Sequence, residues 1–404
     1  MQFARAAYDA RNLNKHMVLD HIRFARQGFT RVALARELGL SRAAVSTIVN
    51  ELIARGLVRE AERVSTTGGR PPIRLEINPE CGYVVGVDIG VTHVTLVLAD
   101  FAGRALSERR EPLSIDDGPK DCLRQVDVHL KALLESVSLP MEQIAALTVG
   151  VPGPVSADDG TVIAPPVMPG WERYPIVQTL QDRWARPVLL ANDADLGALG
   201  EWVYGAGRDT THLAFVKVGS GVGAGFIFNG EIYRGTSGLA GEIGHITLIK
   251  DGPLCTCGNR GCLEALAGGR AIARQAQDAV RRGLPTRLEH IRPVEGITAR
   301  DVAIAAQMGD LLAQQIVQDA GHYLGIAIAN IINLLNPDAV VIGGGVAQMG
   351  DLLLEPIRHT VRERSLGGPI NAVRIVSAVL GMRSSAMGAV TYALTYALHT
   401  LADS

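Results

Sequence analysis

Three of the five cysteines fall within eight residues, Cys255-Thr-Cys257-Gly-Asn-Arg-Gly-Cys262, and His245 precedes them in Gly241-Glu-Ile-Gly-His245. Thiolates and an imidazole are the ligands that zinc prefers, and four of them complete a tetrahedron with no open position for chemistry. The spacing predicts a structural zinc site held by His245, Cys255, Cys257 and Cys262, against the alternative of unrelated buried thiols. Closure of such a loop also fixes its neighbours. Glu242 lies three residues before the histidine and Glu264 two after the last cysteine, so the metal would hold two carboxylates close together, where something polar is expected to bind.

A chain of 404 residues exceeds what one ordinary core serves, and two or three domains are expected. No apolar run reaches the roughly 18 residues of a membrane span, and the N-terminus has no basic-then-apolar leader pattern. A cytoplasmic protein with reduced thiols is therefore expected, without a membrane partner. Cys81 and Cys122 are isolated and read as ordinary small side chains. The net charge of -2 conceals an asymmetry: residues 1–80 hold 13 Lys and Arg against 8 Asp and Glu, which leaves 26 against 33 for the rest. A basic front end on an acidic body points to a polyanion partner for the front end alone.

In that front end Val18, Ile22, Ala25 and Phe29 mark one apolar face of a helix. A second, shorter helix follows, capped by Thr30, with Val32, Ala35 and Leu38 inward and Gly39 at its end. A third runs from about Arg42 to Arg55 behind the cap Ser41, with Val45, Val49, Leu52 and Ile53 on its core face. This order is a helix-turn-helix. On the opposite face of the third helix Arg42, Ser46 and Asn50 form a stripe, with Ala43 and Thr47 beside it and Ser41 at its start. Arginine suits guanine and asparagine suits adenine in a major groove, so these six residues are the expected DNA-reading set; a solvated helix face is the alternative. Two short strands, near Leu57–Glu60 and Ile73–Ile77, flank a basic loop and make a wing. Its tip, Ser65-Thr-Thr-Gly-Gly-Arg70-Pro-Pro, presents Arg70 either to a narrow minor groove or to phosphate alone.

From Tyr83 onward strand and helix signals alternate. Tyr83–Asp88 and Val94–Ala99 read as paired strands, Ala145–Gly150 and Val188–Leu190 as buried strands, and 130–138 as a helix between them. Leu213–Val218, Gly225–Phe228 and Val340–Ile342 begin a second set, and two similar halves predict a cleft between lobes. The turns Asp88-Ile-Gly90-Val-Thr92 and Gly219-Ser220-Gly-Val-Gly-Ala-Gly225 would line it; the second is either a phosphate-approaching loop or a hairpin. Asn192 and Asp193 follow an apolar strand, where they are either a turn pair or ligands for vicinal hydroxyls, Asp193 being also able to act as a general base. Beside Glu242, His245 and Glu264 they describe a sugar site. The apolar run Tyr323–Leu335 is either core or an interface.

These features together resemble the ROK family of repressors and sugar kinases over essentially the whole chain. The resemblance rests on the winged helix, Asp88-x-Gly90, Gly150-Val-Pro-Gly-Pro154, Asn192-Asp193, Gly241-Glu-x-Gly-His245 and Cys-x-Cys-Gly-x-x-Gly-Cys-x-Glu. It implies an α/β fold: a winged helix-turn-helix (1–78), then a two-lobed actin-like, hexokinase-type (ribonuclease H-like) body with lobes 79–195 and 196–404, the last helix returning to the first lobe. It implies sugar ligation by Asn192, Asp193, Glu242, His245 and Glu264, with Asp193 at the position of the kinase base and one ring nitrogen of His245 on zinc.

One departure separates the chain from the family's kinases. Active members carry Asp-x-Gly-Gly-Thr-Lys or similar at the first phosphate turn, whereas this chain has Asp88-Ile-Gly90-Val91-Thr92-His93. A β-branched residue does not adopt φ > 0 comfortably, so ATP binding is not expected. Val167 stands where kinases often have asparagine. The expectation is a sugar-responsive transcriptional regulator, a repressor of carbohydrate uptake or catabolism genes, binding operator DNA and a sugar or sugar phosphate as a homodimer or dimer of dimers. The alternatives are an ATP-dependent sugar kinase with a DNA-binding head and a regulator controlled by a partner protein.

Overall fold

A computed structural model describes residues 10–25, 28–61, 73–156, 159–163, 165, 167–370 and 372–404; Arg70 and the tip of the wing lie outside the described residues. The head consists of helices Ala10–Phe24, Arg31–Glu37 and Arg42–Ala54, followed by an antiparallel ribbon of Val58–Glu60 and Leu75–Ile77. Thr30 and Ser41 cap the second and third helices as the sequence predicts, accepting from the amides of Ala33 and Ala44 at 3.2 and 3.1 Å. The core joins Val18, Leu19 and Ile22 to Leu34, Ala35, Val45, Val49 and Leu52. Val32, expected inward, is 57% exposed. The Thr30 cap sets the rotation of this seven-residue helix so that Leu34 and Ala35 take the inward positions.

The body is built twice on one plan. Its first sheet has the order Ala105–Pro112, His93–Asp100, Tyr83–Ile89, Ile144–Val151, Val188–Asn192, and its second the order Glu231–Ile232, Val222–Phe228, His212–Val218, Ala339–Gly343, Arg374–Ser377. In each, an antiparallel meander of three strands is extended by two parallel strands on the far side of the first strand. This repeat is the actin-like arrangement. The central strands are apolar on both faces because helices cover both. In His212–Val218 the alternation is visible: Ala214, Val216 and Val218 share a core with Ile272 and Leu324, while Leu213 and Phe215 pack with Ala198 on the opposite side. The predicted helix at 130–138 is the end of a longer one, Pro119–Ser136, that starts at a proline in its first turn. The run Tyr323–Leu335 closes the 25-residue helix Leu311–Leu335 and is mostly core, with Leu334 alone among its leucines more than 80% exposed. No helix among the described residues is long and apolar enough to cross a membrane.

Two helices hold the halves together. Asp193–Tyr204 runs out of the first sheet's last strand and lies against the second sheet's hairpin, and the C-terminal helix Ser384–Asp403 crosses it while packing on Tyr83–Ile89 and Ile144–Val151. The crossing is backbone to backbone: a Cβ on Gly200 would overlap Ser384 O, and one on Gly388 would overlap Leu196 O. Glu201, fully buried, fastens the start of the C-terminal helix. Its carboxylate accepts from the amides of Ala206 (2.8 Å), Val379 (3.1 Å) and Leu380 (2.9 Å) and from the Ser384 hydroxyl (2.7 Å). Hydrogen bonds to a charged group contribute about 1.5–3 kcal/mol each, and stranded buried donors add their own cost. Glu201→Ala should therefore lower stability by roughly 3–5 kcal/mol, seen as a fall in the denaturant midpoint, with Glu201→Gln losing less.

Candidate ligand cleft, metal cluster and DNA-reading face

A cavity of about 1000 Å³ lies between the lobes, at the ends of the strands of both sheets. Strand ends are where open α/β sheets bind ligands, since the turns there carry free backbone groups and polar side chains. The Asn192 amide is engaged by the fold. Its Oδ1 accepts from the amides of Ala194 (2.8 Å) and Asp195 (3.3 Å), and its Nδ2 donates to Gly153 O at 3.0 Å. It is thus the cap that starts the helix bearing Asp193, and it keeps one N–H for a ligand.

Asp193 faces Lys217, whose Nζ lies 2.8 Å from Asp193 Oδ2, 3.0 Å from Ser385 Oγ and 3.5 Å from Asp88 Oδ1. Burial works against the Lys217 ammonium, but Asp193 and Asp88 outweigh it and hold its pKa above the ordinary value. Burial also pushes Asp193 up, with Lys217 opposing and Asp88 reinforcing the shift. Lys217 was not singled out by the sequence reading. The signal was present: a lysine in a largely apolar strand, two residues before a glycine turn. The glycine run itself is a hairpin, with Val218 paired to Val222.

Glu264 accepts from Val222 N at 3.0 Å and from Thr256 Oγ1 at 3.2 Å, which ties the glycine hairpin to the cysteine loop. Glu242 lies 3.8 Å from His245 Nε2; burial raises its pKa, opposed by His245 and reinforced by Asp193 and Glu264. The other ring nitrogen, His245 Nδ1, is 3.6 Å from Cys255 Sγ, and Cys257 Sγ is 3.8 Å from Cys262 Sγ. All four ligand atoms lie within 4.8 Å of one another. Tetrahedral zinc with the usual bond lengths has N···S and S···S edges of about 3.6 and about 3.8 Å, so the cluster has the dimensions of a metal centre. No disulfide joins any of the five cysteines, and Cys81 and Cys122 donate to Gly56 O and Ser114 O.

The first phosphate turn differs from expectation in its geometry. Val91 is not among the residues with positive φ, and its side chain packs on the first lobe's core. The strain argument against nucleotide therefore does not apply at Val91; the turn accommodates valine without entering the left-handed region. His93, two residues on, is held neutral, its pKa lowered from 6.5 to about 4 by burial and by the charges of Arg110 and Lys217.

On the head, Ser41, Arg42, Ala43, Thr47 and Asn50 are exposed and Ser46 is half-buried. Asn50 Oδ1 accepts from Arg31 Nη1 at 2.7 Å, and Arg31 Nη2 bonds Glu60 Oε1 at 3.1 Å. Arg31, which the sequence reading passed over, so links the second helix, the reading helix and the wing. Only the fold reveals this, because its partners are 19 and 29 residues away.

A winged helix carried on a two-lobed, kinase-type body defines a DNA-binding regulator built on a sugar-kinase fold. Residues 84–395 match the ROK family and residues 12–70 the MarR family, and the chain belongs to the ROK family. A putative xylose repressor of Caldicellulosiruptor sp. (strain Rt8B.4) is 34% identical over 385 residues, 95% of this chain and 96% of that one. The crystal structure of a ROK family transcriptional regulator, a homolog of the E. coli MLC protein, matches with a TM-score of 0.81 at 27% identity, covering 98% of this chain and 99% of that one. A ROK family glucokinase from Streptomyces griseus, in complex with glucose and AMPPNP, matches with a TM-score of 0.69 at 30% identity over 77% of this chain and 99% of that one.

Asp195, two residues beyond Asp193, gives the fold beside the cleft a pH signature. Burial lifts its pKa from 3.8 to about 7, opposed by Arg234, whose Nε is 3.8 Å away, and reinforced by Asp193 and Glu242. Between about pH 4 and pH 7 the unfolded chain releases this proton while the folded protein keeps it, so stability falls as pH rises through that window. Asp195→Asn should flatten the dependence and melt above wild type at pH 8, by an equivalent on the order of a few kcal/mol. Thermal melts of both proteins from pH 5 to 8 check this; parallel curves would remove Asp195 as the source.

Proposed function

We propose that this protein is a transcriptional repressor whose operator affinity is lowered by a sugar bound between the lobes. The observation that carries the reading is that the C-terminal helix touches both sites. Ser385, in its first turn, donates to Asp193 O at 2.7 Å, and its far end meets the head, where Lys15 Nζ donates to Ala402 O at 2.9 Å. A sugar gripped by Asn192, Asp193, Glu242, His245 and Glu264 changes the lobes' preferred separation. The helix carries that change to Ser41, Arg42, Ala43, Ser46, Thr47, Asn50 and Arg70 on the DNA. A tenfold preference of the sugar for the released state supplies about 1.4 kcal/mol.

In this reading the domains are 1–78, 79–195 and 196–404, and the protein is a cytoplasmic homodimer or dimer of dimers, since one helix reads too few bases and two-fold symmetry doubles the site. The body catalyses no phosphoryl transfer. Zinc, held by His245, Cys255, Cys257 and Cys262, is structural: it fixes the cysteine loop and with it Glu264 through Thr256, and it sets His245 with Nε2 toward Glu242.

Two measurements test this. First, operator DNA selected from a random pool is titrated with the protein while sugars are screened, xylose first because of the relative's name. Glu242→Gln and Glu264→Gln should keep DNA affinity and require at least tenfold more sugar for release. A response that survives both changes means that another pocket binds the effector. Second, elemental analysis should find about one zinc per chain, lost in Cys257→Ser together with the sugar response; a folded protein without zinc would refute the metal assignment.

A further inference from the structure

The environment of Lys217 carries a more specific statement about the cleft's ligand, one that rests on the repressor reading above. Lys217 stands on the second lobe's strand His212–Val218, while Asp88 ends the first lobe's first strand and Asp193 opens the interlobe helix. The three side chains are 19%, 3% and 10% exposed. Two carboxylates so enclosed need a cation, because an unpaired charge away from water is strongly disfavoured. Clefts that transfer phosphoryl groups meet that need with a divalent metal, held by carboxylates and bridging the phosphate oxygens. The glucokinase of similar fold holds glucose and AMPPNP in its structure. Here the chain supplies the cation itself, on a four-carbon stem that also fills part of the space beside Asp88.

We propose that Lys217 determines the class of ligand this cleft accepts: its ammonium takes the place of a divalent metal between Asp88 and Asp193, so the cleft binds a free polyol without metal and refuses a metal-chelated nucleotide. The hydrogen bond to Ser385, on the C-terminal helix, fixes the ammonium between the two acids. Asp193 is left with its second oxygen to accept a sugar hydroxyl. A lone ammonium balances one of the two carboxylates, where a divalent ion would balance both, which is why the site suits an uncharged ligand that donates hydrogen bonds and brings no charge of its own.

The test uses the full-length, zinc-loaded protein and Mn²⁺ alone as the probe, followed by electron paramagnetic resonance of the free ion. Wild type should bind no Mn²⁺ tighter than millimolar in the cleft. Lys217→Ala should gain one site per chain at least tenfold tighter, and the double variant Lys217→Ala with Asp88→Asn should lose it again. Lys217→Arg, which keeps the charge, should behave as wild type. A folded Lys217→Ala protein that takes up no Mn²⁺ overturns the proposal, as does equal uptake by wild type. If Lys217→Ala melts early in metal-free buffer, a Mn²⁺-dependent recovery that Asp88→Asn abolishes supports the assignment, and no recovery sinks it. No sugar or DNA enters this experiment, so its failure is separate from failure of the repressor reading, which operator release alone decides.

Discussion

Ser384–Asp403 and Asp193–Tyr204 cross with a glycine of each against the backbone of the other, Gly388 against Leu196 O and Gly200 against Ser384 O, and most of what positions the sites depends on that contact. Helices that meet through side chains can adjust by rotamer changes, whereas a backbone-to-backbone crossing has no such slack. Asp193 begins one of these helices and Ser385 belongs to the first turn of the other, so the crossing sets the position of the acid in the cleft. Glu201 repeats the constraint with three hydrogen bonds from Val379, Leu380 and Ser384, at the entry to the C-terminal helix. From there the helix runs 20 residues, about 30 Å, to the head.

Along that length the head shares one apolar cluster with the helix, which includes Val18, Leu19 and Ile22 as well as Leu394, Ala397 and Leu398, and adds polar contacts. Arg23 donates to Thr391 O at 2.8 Å and to Thr395 Oγ1 at 2.6 Å, Arg55 donates to Leu401 O at 3.0 Å, and the rings of His16 and His399 stack at 4.0 Å. His16 and His399 bond Asp403 and Asp20 respectively. Such a joint combines a shared apolar core with polar contacts that are specific in register. Buried acids in and beside the cleft have basic partners: Lys217 lies between Asp88 and Asp193, and Arg234 faces Asp195.

What could be read from the residues follows the range of the interactions involved. Helix caps, apolar periods and metal-ligand spacing are local, and Thr30, Ser41, the strands at Tyr83–Ile89 and Val188–Asn192, and the cysteine cluster are where the sequence places them. Val32 was misplaced because a seven-residue helix carries too few positions for its apolar face to be unambiguous. At Val91 the residue type was read correctly and the backbone wrongly, since the turn never enters positive φ. Lys217 and Arg31 escaped because their roles are set by partners 24 to 168 and 19 to 29 residues distant, which no local pattern encodes. Asn192 is the instructive mixture: its place after the strand was legible, but that its amide caps a following helix is seen only in the fold.

A kinase-type body has a property that suits it to the sensing role proposed for this chain. In an enzyme, lobe closure around sugar and nucleotide excludes water and aligns the reacting atoms. Here the lobes are already bridged by an internal cation, so a ligand need only compete for, or add to, the contacts of Asp193. Each contact that differs between open and closed lobes biases the C-terminal helix, because that helix packs on the first lobe's sheet at Gly86 while its first turn bonds Lys217 of the second. Its last turns grip the helix Ala10–Phe24, and the reading helix packs on that same core through Val45, Val49 and Leu52. In the proposed repressor the coupling from sugar to DNA requires no chain of small adjustments, only two lobes whose relative position the ligand favours unequally and one helix that bears on both of them and on the head.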